Sequence, residues 1–157
     1  MSLVELESVF DTKIITQNID DLHERAGSSN VTHLHGELTK ARSSNIDGHV
    51  AHIGFKDIKI GDRANDGSQL RPHIVWFGEQ VPMMDLATEI MLRAEILLVI
   101  GTSLNVYPAA GLVQIATPNC RKIIVDPKAV EISTSGFEAV SLTAVQGIPK
   151  IVADIKA

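Results

Sequence analysis

The feature that most constrains the fold of this chain is an alternation of short apolar runs with amphipathic segments. The strongest run, Ile96-Leu97-Leu98-Val99-Ile100, contains no polar residue, which is typical of a strand buried on both faces of a parallel sheet. We predict strands at residues 13–16, 31–34, 73–77, 96–100, 122–125 and 140–142, and helices at residues 3–8, 21–26, 84–93, 109–116 and 148–155. Strands separated by helices predict an α/β fold with a doubly wound parallel sheet.

Residues 40–70 interrupt this alternation, because they are polar and rich in glycine. We predict that they leave the sheet as a small module or a loop. Residues 1–39 and 71–157 would then form the main domain, and residues 40–70 the excursion. His49 and His52 lie in the excursion, but their spacing fits no strong zinc pattern, so we expect a solvated segment without metal.

Charge and cysteine content exclude several classes of protein. The net charge of -5, from 14 basic and 19 acidic residues, leaves no basic surface for nucleic acid. No apolar stretch is long enough to cross a bilayer. The single cysteine, Cys120, excludes an internal disulfide and a multi-cysteine zinc site, and we predict a cytoplasmic protein.

A polar cluster follows the first predicted strand directly. Gln17, Asn18, Asp20 and Asp21 are residues that a core would not choose, and they lie where α/β proteins place ligand sites, at the carboxyl end of a strand. One interpretation is that Asn18 and Asp20 only form a turn and a helix cap. The other is that an amide and a carboxylate orient a polar ligand, and spacing alone favours neither. Asp21 and Glu24 also have capping-box spacing.

His35 ends the next predicted strand, and the alternation of residues places it on the same face as His33. Gly36 follows at once, so that a backbone or a ligand can approach closely. A lone histidine is more often structural than catalytic. A histidine with a pKa near neutral at a strand end can also act as a general base, but the residues alone favour the structural interpretation.

Two later segments also end apolar strands. Gly101-Thr102-Ser103 follows residues 96–100, and could cradle a phosphate or ribose with its amides and hydroxyls; the alternative is a helix entry capped by Ser103 or Asn105. Trp76 and Phe77 lie in the run 71–79. This run is either a buried strand or a strand edge that holds an extended peptide beside aromatic walls.

Four of these segments, in this order, resemble the sirtuin family of NAD-dependent protein lysine deacylases. They are Thr-Gln-Asn-Ile-Asp-Asp-Leu-His (16–23), His-Leu-His-Gly-Glu (33–37), Pro-His-Ile-Val-Trp-Phe-Gly-Glu (72–79) and Gly-Thr-Ser-Leu-Asn-Val-Tyr-Pro-Ala-Ala-Gly (101–111). The resemblance covers nearly the whole chain from about residue 12. It implies a Rossmann-like large domain and a bacterial branch that lacks the zinc cysteines.

The resemblance also implies roles for individual residues. His35 would be the general base, Asn18 would orient the nicotinamide ribose, and Asp20 would hold the nicotinamide carboxamide. The expected contacts with NAD are Gln17, Asn18, Ile19, Asp20, Gly101, Thr102, Ser103, Ile124, Val125, Asp126 and Ala144. The expected acyl-lysine contacts are Val75, Trp76, Phe77, Gly78 and Val106. The implied reaction releases nicotinamide and transfers the acyl group from lysine to ADP-ribose.

This sequence departs from the family pattern at three points. The glycine-rich strand-turn-helix of the family's opening third has no counterpart, so we expect an N-terminally truncated domain. Ser43 and Ser44 stand where the first zinc cysteine pair would lie, and no cysteine occurs between Glu37 and Pro72, so no zinc is expected. Asp126 stands where many members carry an asparagine that contacts the adenine ribose.

The missing segment leaves alternatives open. The chain could be a deacylase core, a non-catalytic remnant that binds an acyl-lysine peptide or a partner subunit, or a mono-ADP-ribosyltransferase. A strand edge and an apolar face that the missing segment would have covered predict self-association or a marginal fold. The acyl group that is removed stays undetermined.

Overall fold

The chain folds into three small sheets with helices packed around them. The computed structural model describes residues 2–45, 48–132 and 136–157. The strands are β1 (Ile14–Thr16), β2 (Val31–His33), β3 (Gly36–Ser43), β4 (Val50–His52), β5 (Leu70–Ile74), β6 (Ile96–Ile100), β7 (Arg121–Val125) and β8 (Phe137–Val140). The helices are α1 (Ser2–Glu7), α2 (Leu22–Arg25), α3 (Met84–Arg93), α4 (Ala129–Ile132) and α5 (Ala144–Lys156), with a 3-10 helix at Ala109–Gln114.

Two of the sheets are parallel. β1 pairs with β2, and β7 lies between β6 and β8. The third sheet is antiparallel, with β3 between β4 and β5. The predicted α/β class is therefore confirmed, with the difference that the parallel strands form two separately hydrogen-bonded sheets rather than one.

The sheet of β6, β7 and β8 is covered on both faces, as a doubly wound fold requires. On one face Ile123 and Val125 are fully buried under side chains of α1 and α5, such as Leu6, Ile148 and Val152. On the other face Ile124 packs against Ala129 of α4 and residues next to it. Because alternate residues of β7 point to opposite faces, three consecutive apolar residues serve two separate clusters.

A third apolar cluster joins the two parallel sheets. Leu34, which follows β2, packs with Met91 of α3 and Leu112 of the 3-10 helix. Ile15 of β1 and Leu97 of β6 contact the same cluster. The strand ends that carry the predicted site residues are thus supported by one shared core.

The antiparallel sheet corrects the prediction for the middle of the chain. Residues 40–70 were expected to leave the parallel sheet as a small module or a loop, and no strand was predicted within them, but β3 runs into them from Gly36, and β4 lies within them. β3 was missed because its buried residues Thr39, Ala41 and Ser43 are small or polar, so that the alternation carries little hydrophobic contrast. The domain division at residues 40 and 70 stays a prediction.

The strand predicted at residues 73–77 begins and ends earlier than predicted. β5 ends at Ile74 and pairs antiparallel with β3, and Trp76 and Phe77 lie beyond it. Gly36 makes this pairing possible. A Cβ at this position would overlap the carbonyl oxygen of His73, and the φ of Gly36 is 81°, which other residues rarely adopt.

A carboxylate-centred network holds the turn after β3 to residues 66–68. The Asp66 carboxylate accepts hydrogen bonds from the Ser43 hydroxyl at 2.7 Å, the Asn45 side-chain amide at 3.0 Å and the Ser68 backbone N–H at 2.9 Å. The hydroxyl hydrogen bond from Ser43 is the first cause that lowers the pKa of Asp66. We call this set of four residues the Asp66 network.

Most other elements follow the predictions closely. α3 and β6 have the predicted bounds, while the helix predicted at 109–116 is a 3-10 helix. α5 begins four residues earlier than predicted, at Ala144, and β8 ends at Val140, where the predicted strand began. Within the described ranges 2–45, 48–132 and 136–157, we find no helix with the length and apolar character needed to cross a membrane.

Candidate active site

The loop after β1 and the end of β2 lie side by side. Because the two strands are parallel neighbours, with Thr16 opposite His33, the residues that follow them emerge at one edge. The His35 ring contacts the backbone carbonyl of Gln17, with 3.1 Å between Nδ1 and the oxygen. The Leu38 N–H donates to the Ile19 carbonyl at 2.7 Å. The polar cluster and His35 are therefore brought together.

The contact with Gln17 selects one tautomer of the neutral His35 ring. A carbonyl oxygen can only accept a hydrogen bond, so the proton of the neutral ring must be on Nδ1. Nε2 then carries a lone pair that is available to accept a proton. His35 is half-buried, which leaves a path for a ligand. This is the arrangement that a general base requires.

His33 is buried and contacts the same loop as His35, which agrees with the prediction that the two rings share a face. Its Nδ1 donates to the Asn18 carbonyl at 3.0 Å, and its Nε2 lies 2.8 Å from Oε1 of Glu24. Burial favours the neutral ring, but the hydrogen bonds to Glu24 and Asn18 outweigh it and raise the pKa of His33. Two neighbouring carbonyls of the loop, of Gln17 and Asn18, are thus held by two histidines.

This use of Glu24 corrects the predicted capping box. Asp21 precedes α2 but makes no side-chain cap hydrogen bond, and Glu24 is directed to His33 instead. Oδ1 of Asp20 accepts the Leu22 N–H at 3.1 Å. Asp20 therefore acts as a turn residue through one of its oxygens, as the first interpretation of the polar cluster predicts.

The second polar edge lies at the carboxyl ends of β6 and β7. The Gly101 N–H donates to the Val125 carbonyl at 3.1 Å, and a Cβ on Gly101 would meet open space. The Thr102 hydroxyl accepts the Leu104 N–H at 3.2 Å. There is thus room beside the backbone of the turn, as a phosphate or ribose site requires.

The other predicted NAD contacts at this edge differ in their exposure and in their hydrogen bonds. Ile124 and Val125 are fully buried, so neither presents accessible surface in this structure, and their contact with NAD stays a prediction. Oδ1 of Asp126 accepts the Lys128 N–H at 2.8 Å, as a turn residue does. Ser103 and Ala144, the first residue of α5, are exposed.

The predicted acyl-lysine segment is tied to the predicted base. The Val75 N–H donates to the backbone carbonyl of His35 at 2.9 Å, so the segment begins one hydrogen bond away from the base. Beyond it the aromatic side chains project outward, with Trp76 56% and Phe77 99% exposed. Val106 is also exposed. Exposed apolar side chains of this size are typical of a surface that binds a partner.

Sequence reasoning missed the group that organises this segment. Glu79 lies in the quoted motif 72–79 without a role, but its carboxylate binds Arg71, Arg42 and the Trp76 N–H. The hydrogen bond from Arg71 is the largest of the effects that lower the pKa of Glu79 to about 2. The signal available in the sequence was only a carboxylate two residues after an aromatic pair, with Arg71 eight residues before it.

No metal-binding cluster accompanies these residues. Among residues 2–45, 48–132 and 136–157, no group of three or more histidine, cysteine, aspartate or glutamate side chains could hold a metal ion. The Asp66 network occupies the region where zinc ligands were considered.

The fold and the polar strand ends define a Rossmann-like α/β protein with a candidate site at the carboxyl edge of its parallel strands. The Sir2 family model matches residues 2–108. The chain therefore belongs to the Sir2 family, which confirms the resemblance to sirtuins.

Individual relatives agree with this assignment. The chain is 50% identical over 138 residues to an NAD-dependent protein deacylase of Bacteroides thetaiotaomicron, in a match that covers 85% of this chain and 59% of the relative. A solved Sir2 homologue in complex with NAD is 33% identical with a TM-score of 0.82, and covers 99% of this chain and 62% of its own. A Sir2 complex with a p53 peptide and NAD+ is 28% identical with a TM-score of 0.73, over 98% of this chain and 66% of the other. The chain thus spans about three fifths of the length of the deacylase that it matches.

Proposed function

We propose that this chain carries the catalytic half of an NAD-dependent protein lysine deacylase. The observation that carries the proposal is the His35 ring, whose Nδ1–H is engaged by the Gln17 carbonyl so that Nε2 is left to accept a proton. The base lies directly beside the exposed aromatic segment through the Val75 hydrogen bond. The names of the relatives support the same reaction.

The residues present fit the cofactor that these relatives bind. Gln17, Asn18, Ile19 and Asp20 would hold the nicotinamide and its ribose, and the turn that begins at Gly101 has open space beside its backbone. Gly101, Thr102 and Ser103 would meet the phosphates and adenosine ribose, with Asp126 and Ala144 further along the same edge. When bound, NAD would supply the ADP-ribosyl group that accepts the acyl group.

The chain's own residues would perform three tasks. His35 would take a proton at Nε2, while its Nδ1 hydrogen bond keeps the ring in the required tautomer. The backbone of Asn18 is fixed by His33. The Asn18 amide would therefore lose little conformational entropy when it orients a ribose hydroxyl. Val75, Trp76, Phe77, Gly78 and Val106 would bind the acyl-lysine side chain and exclude water from it.

The test is release of nicotinamide from NAD in the presence of an acetyl-lysine peptide. His35→Ala should lower the rate by about 100-fold or more, the usual contribution of a general base, without unfolding the protein. The exposed His52, changed to alanine, is the control. Retained turnover in the His35 variant would contradict the assignment of the base.

Calorimetry of the same protein decides between the deacylase and the non-catalytic alternative. Heat of binding with both NAD and peptide supports the deacylase. Binding of the peptide alone, with no heat from NAD and no product, supports a chain that only recognises acyl-lysine. Labelling of an acceptor protein by mass spectrometry would instead indicate mono-ADP-ribosyl transfer.

Two further parts of the proposal concern the surroundings of the protein. We propose self-association, because large apolar side chains such as Phe55 and Ile60 are exposed on the antiparallel sheet region; light scattering that gives the mass of one chain would contradict it. We also propose a cytoplasmic location, since Cys120 is free and buried.

A further inference from the structure

The segment that would bind acyl-lysine has little packing to hold it in place. Residues 75–78 follow the end of β5, and both of their aromatic side chains project into solvent. A short exposed segment loses conformational entropy when it is ordered. Its conformation must therefore come from hydrogen bonds, and the structure shows which ones.

Glu79 forms hydrogen bonds with this segment through both its backbone and its side chain. Its N–H donates to the Trp76 carbonyl at 3.0 Å, and its Oε2 accepts the Trp76 N–H at 3.1 Å. Both polar backbone groups of Trp76 are thus bound to one residue. With Val75 fixed on His35, the segment is held at its start and at its end.

The Glu79 carboxylate is itself anchored to two strands of the antiparallel sheet. Arg71 of β5 donates from Nη1 to Oε1 at 2.6 Å and from Nη2 to Oε2 at 3.1 Å, a paired geometry of the strong kind. Arg42 of β3 adds a contact at 3.4 Å. Nη2 of Arg71 also donates to the Ile74 carbonyl at 3.2 Å, at the residue before the segment.

We infer that Glu79 is a positioning residue that holds residues 75–78 in the conformation that receives acyl-lysine, with Arg71 and Arg42 as its anchors. The inference rests on the proposed function for the identity of the ligand. The Glu79 carboxylate would contact neither the peptide nor NAD; it would act through Trp76. Its effect should therefore fall on peptide binding and not on NAD binding.

The substitution Glu79→Gln isolates this role. Glutamine has the same shape, but it has one acceptor oxygen, and its NH2 group would face the donors of Arg71 and Trp76. Glu79→Asp keeps the charge but shortens the reach by one methylene, so it should give an intermediate effect. Glu89→Gln, an exposed position on α3, is the matched control for the loss of one carboxylate.

Trp76 reports on the segment directly, because it is the only tryptophan of the chain. Its fluorescence anisotropy should fall in Glu79→Gln, fall less in Glu79→Asp and stay unchanged in Glu89→Gln, at equal melting temperatures. The dissociation constant of an acetyl-lysine peptide, followed by quenching of Trp76, should rise about tenfold in Glu79→Gln, because ordering of the segment then accompanies binding. The dissociation constant of NAD should stay the same.

The outcomes separate this inference from the proposed function. If the unaltered protein binds no acetyl-lysine peptide, the proposed function fails, and Trp76 anisotropy still decides whether Glu79 orders the segment. Equal anisotropy in the unaltered protein and Glu79→Gln would overturn the inference. Equal weakening of peptide and NAD binding in Glu79→Gln would also overturn it, because a general loss of structure would then explain both.

Discussion

The parallel sheet of β6, β7 and β8 and the antiparallel sheet of β3, β4 and β5 are stabilised in different ways. In the parallel sheet, consecutive residues of β7 are fully buried between helices on both faces. In the antiparallel sheet the described side-chain contacts are largely polar, such as the Asp66 network and the pairing of Glu79 with Arg71. Burial is non-directional, whereas hydrogen bonds fix angles and distances. We therefore expect the parallel sheet to contribute most of the free energy of unfolding. We expect the antiparallel sheet mainly to fix the positions of the side chains that it carries.

The largest test of this difference is a cavity in the parallel sheet. Ile123→Ala removes a fully buried side chain of β7 and should lower the free energy of unfolding by about 2–5 kcal/mol. Urea denaturation followed by circular dichroism measures it. Val145→Ala, at an exposed position of α5, should change this free energy by less than about 0.5 kcal/mol. A similarly small value for both variants would show that burial of β7 does not supply the stability assigned to the parallel sheet.

A substitution at Gly36 tests the antiparallel sheet where the backbone of β3 lies against that of β5. Gly36→Ala places a Cβ against the His73 carbonyl at a φ of 81°, and should cost about 1–3 kcal/mol and weaken the pairing of β3 with β5. Gly67→Ala is the matched control, because its φ is 79° but a Cβ there meets nothing within 4 Å. The difference between the two free energies gives the cost of the contact alone. Equal free energies of unfolding would mean that β5 can move away from Gly36 without a loss of stability.

The Asp66 network should matter locally rather than globally. Asp66→Ala should raise the rate of amide hydrogen exchange at Ser68, whose N–H would lose its acceptor, with little change in the melting temperature. Asp57→Ala, at another exposed aspartate of the same region, should leave this rate unchanged. Because the pKa of Asp66 is lowered from 3.8, its contribution is present above that pH and is lost as the pH falls through the folded-state value. A large drop in melting temperature would show that the polar region also carries global stability.

The smallest expected effect concerns His33 and Glu24. The raised pKa of His33 means that their contribution to stability is present below pH 6.5 and is lost as the pH rises through the folded-state value. The stability difference between the unaltered protein and Glu24→Gln should therefore shrink from about pH 6 to about pH 8. It should stay below about 1 kcal/mol, because the Glu24 side chain is 41% exposed. A difference that grows with pH would contradict the raised pKa of His33.

The parts of the fold that sequence predicted well are those in which local pattern and burial agree. β6 is a continuous apolar run and α3 has regular helical spacing, so both were predicted with their observed bounds. β3 and β5 depend instead on each other, through a pairing that skips residues between Glu37 and Ala41. A pairing across the chain leaves no local hydrophobic pattern, and the strand was placed at residues 73–77 because Trp76 and Phe77 are apolar.

The site was predictable to a similar degree. The polar residues at the ends of β1 and β2 stand out in sequence because no core would contain them. The partners that orient them do not stand out, because Glu24 is an ordinary helix residue until His33 reaches it. Glu79 likewise became visible only when two arginines from separate strands converged on it.

The Asp66 network has a consequence for chemical damage. Residues 36–74, from the start of β3 to the end of β5, contain neither cysteine nor methionine, the side chains that oxidants attack most readily. Peroxide should therefore leave the hydrogen bonds of Asp66 with Ser43, Asn45 and Ser68 intact. Thiolate groups in the same place would be oxidised, and the contacts that they make would be lost. In this chain the Asp66 network is made of hydroxyl, carboxylate and amide groups that have no redox chemistry of their own.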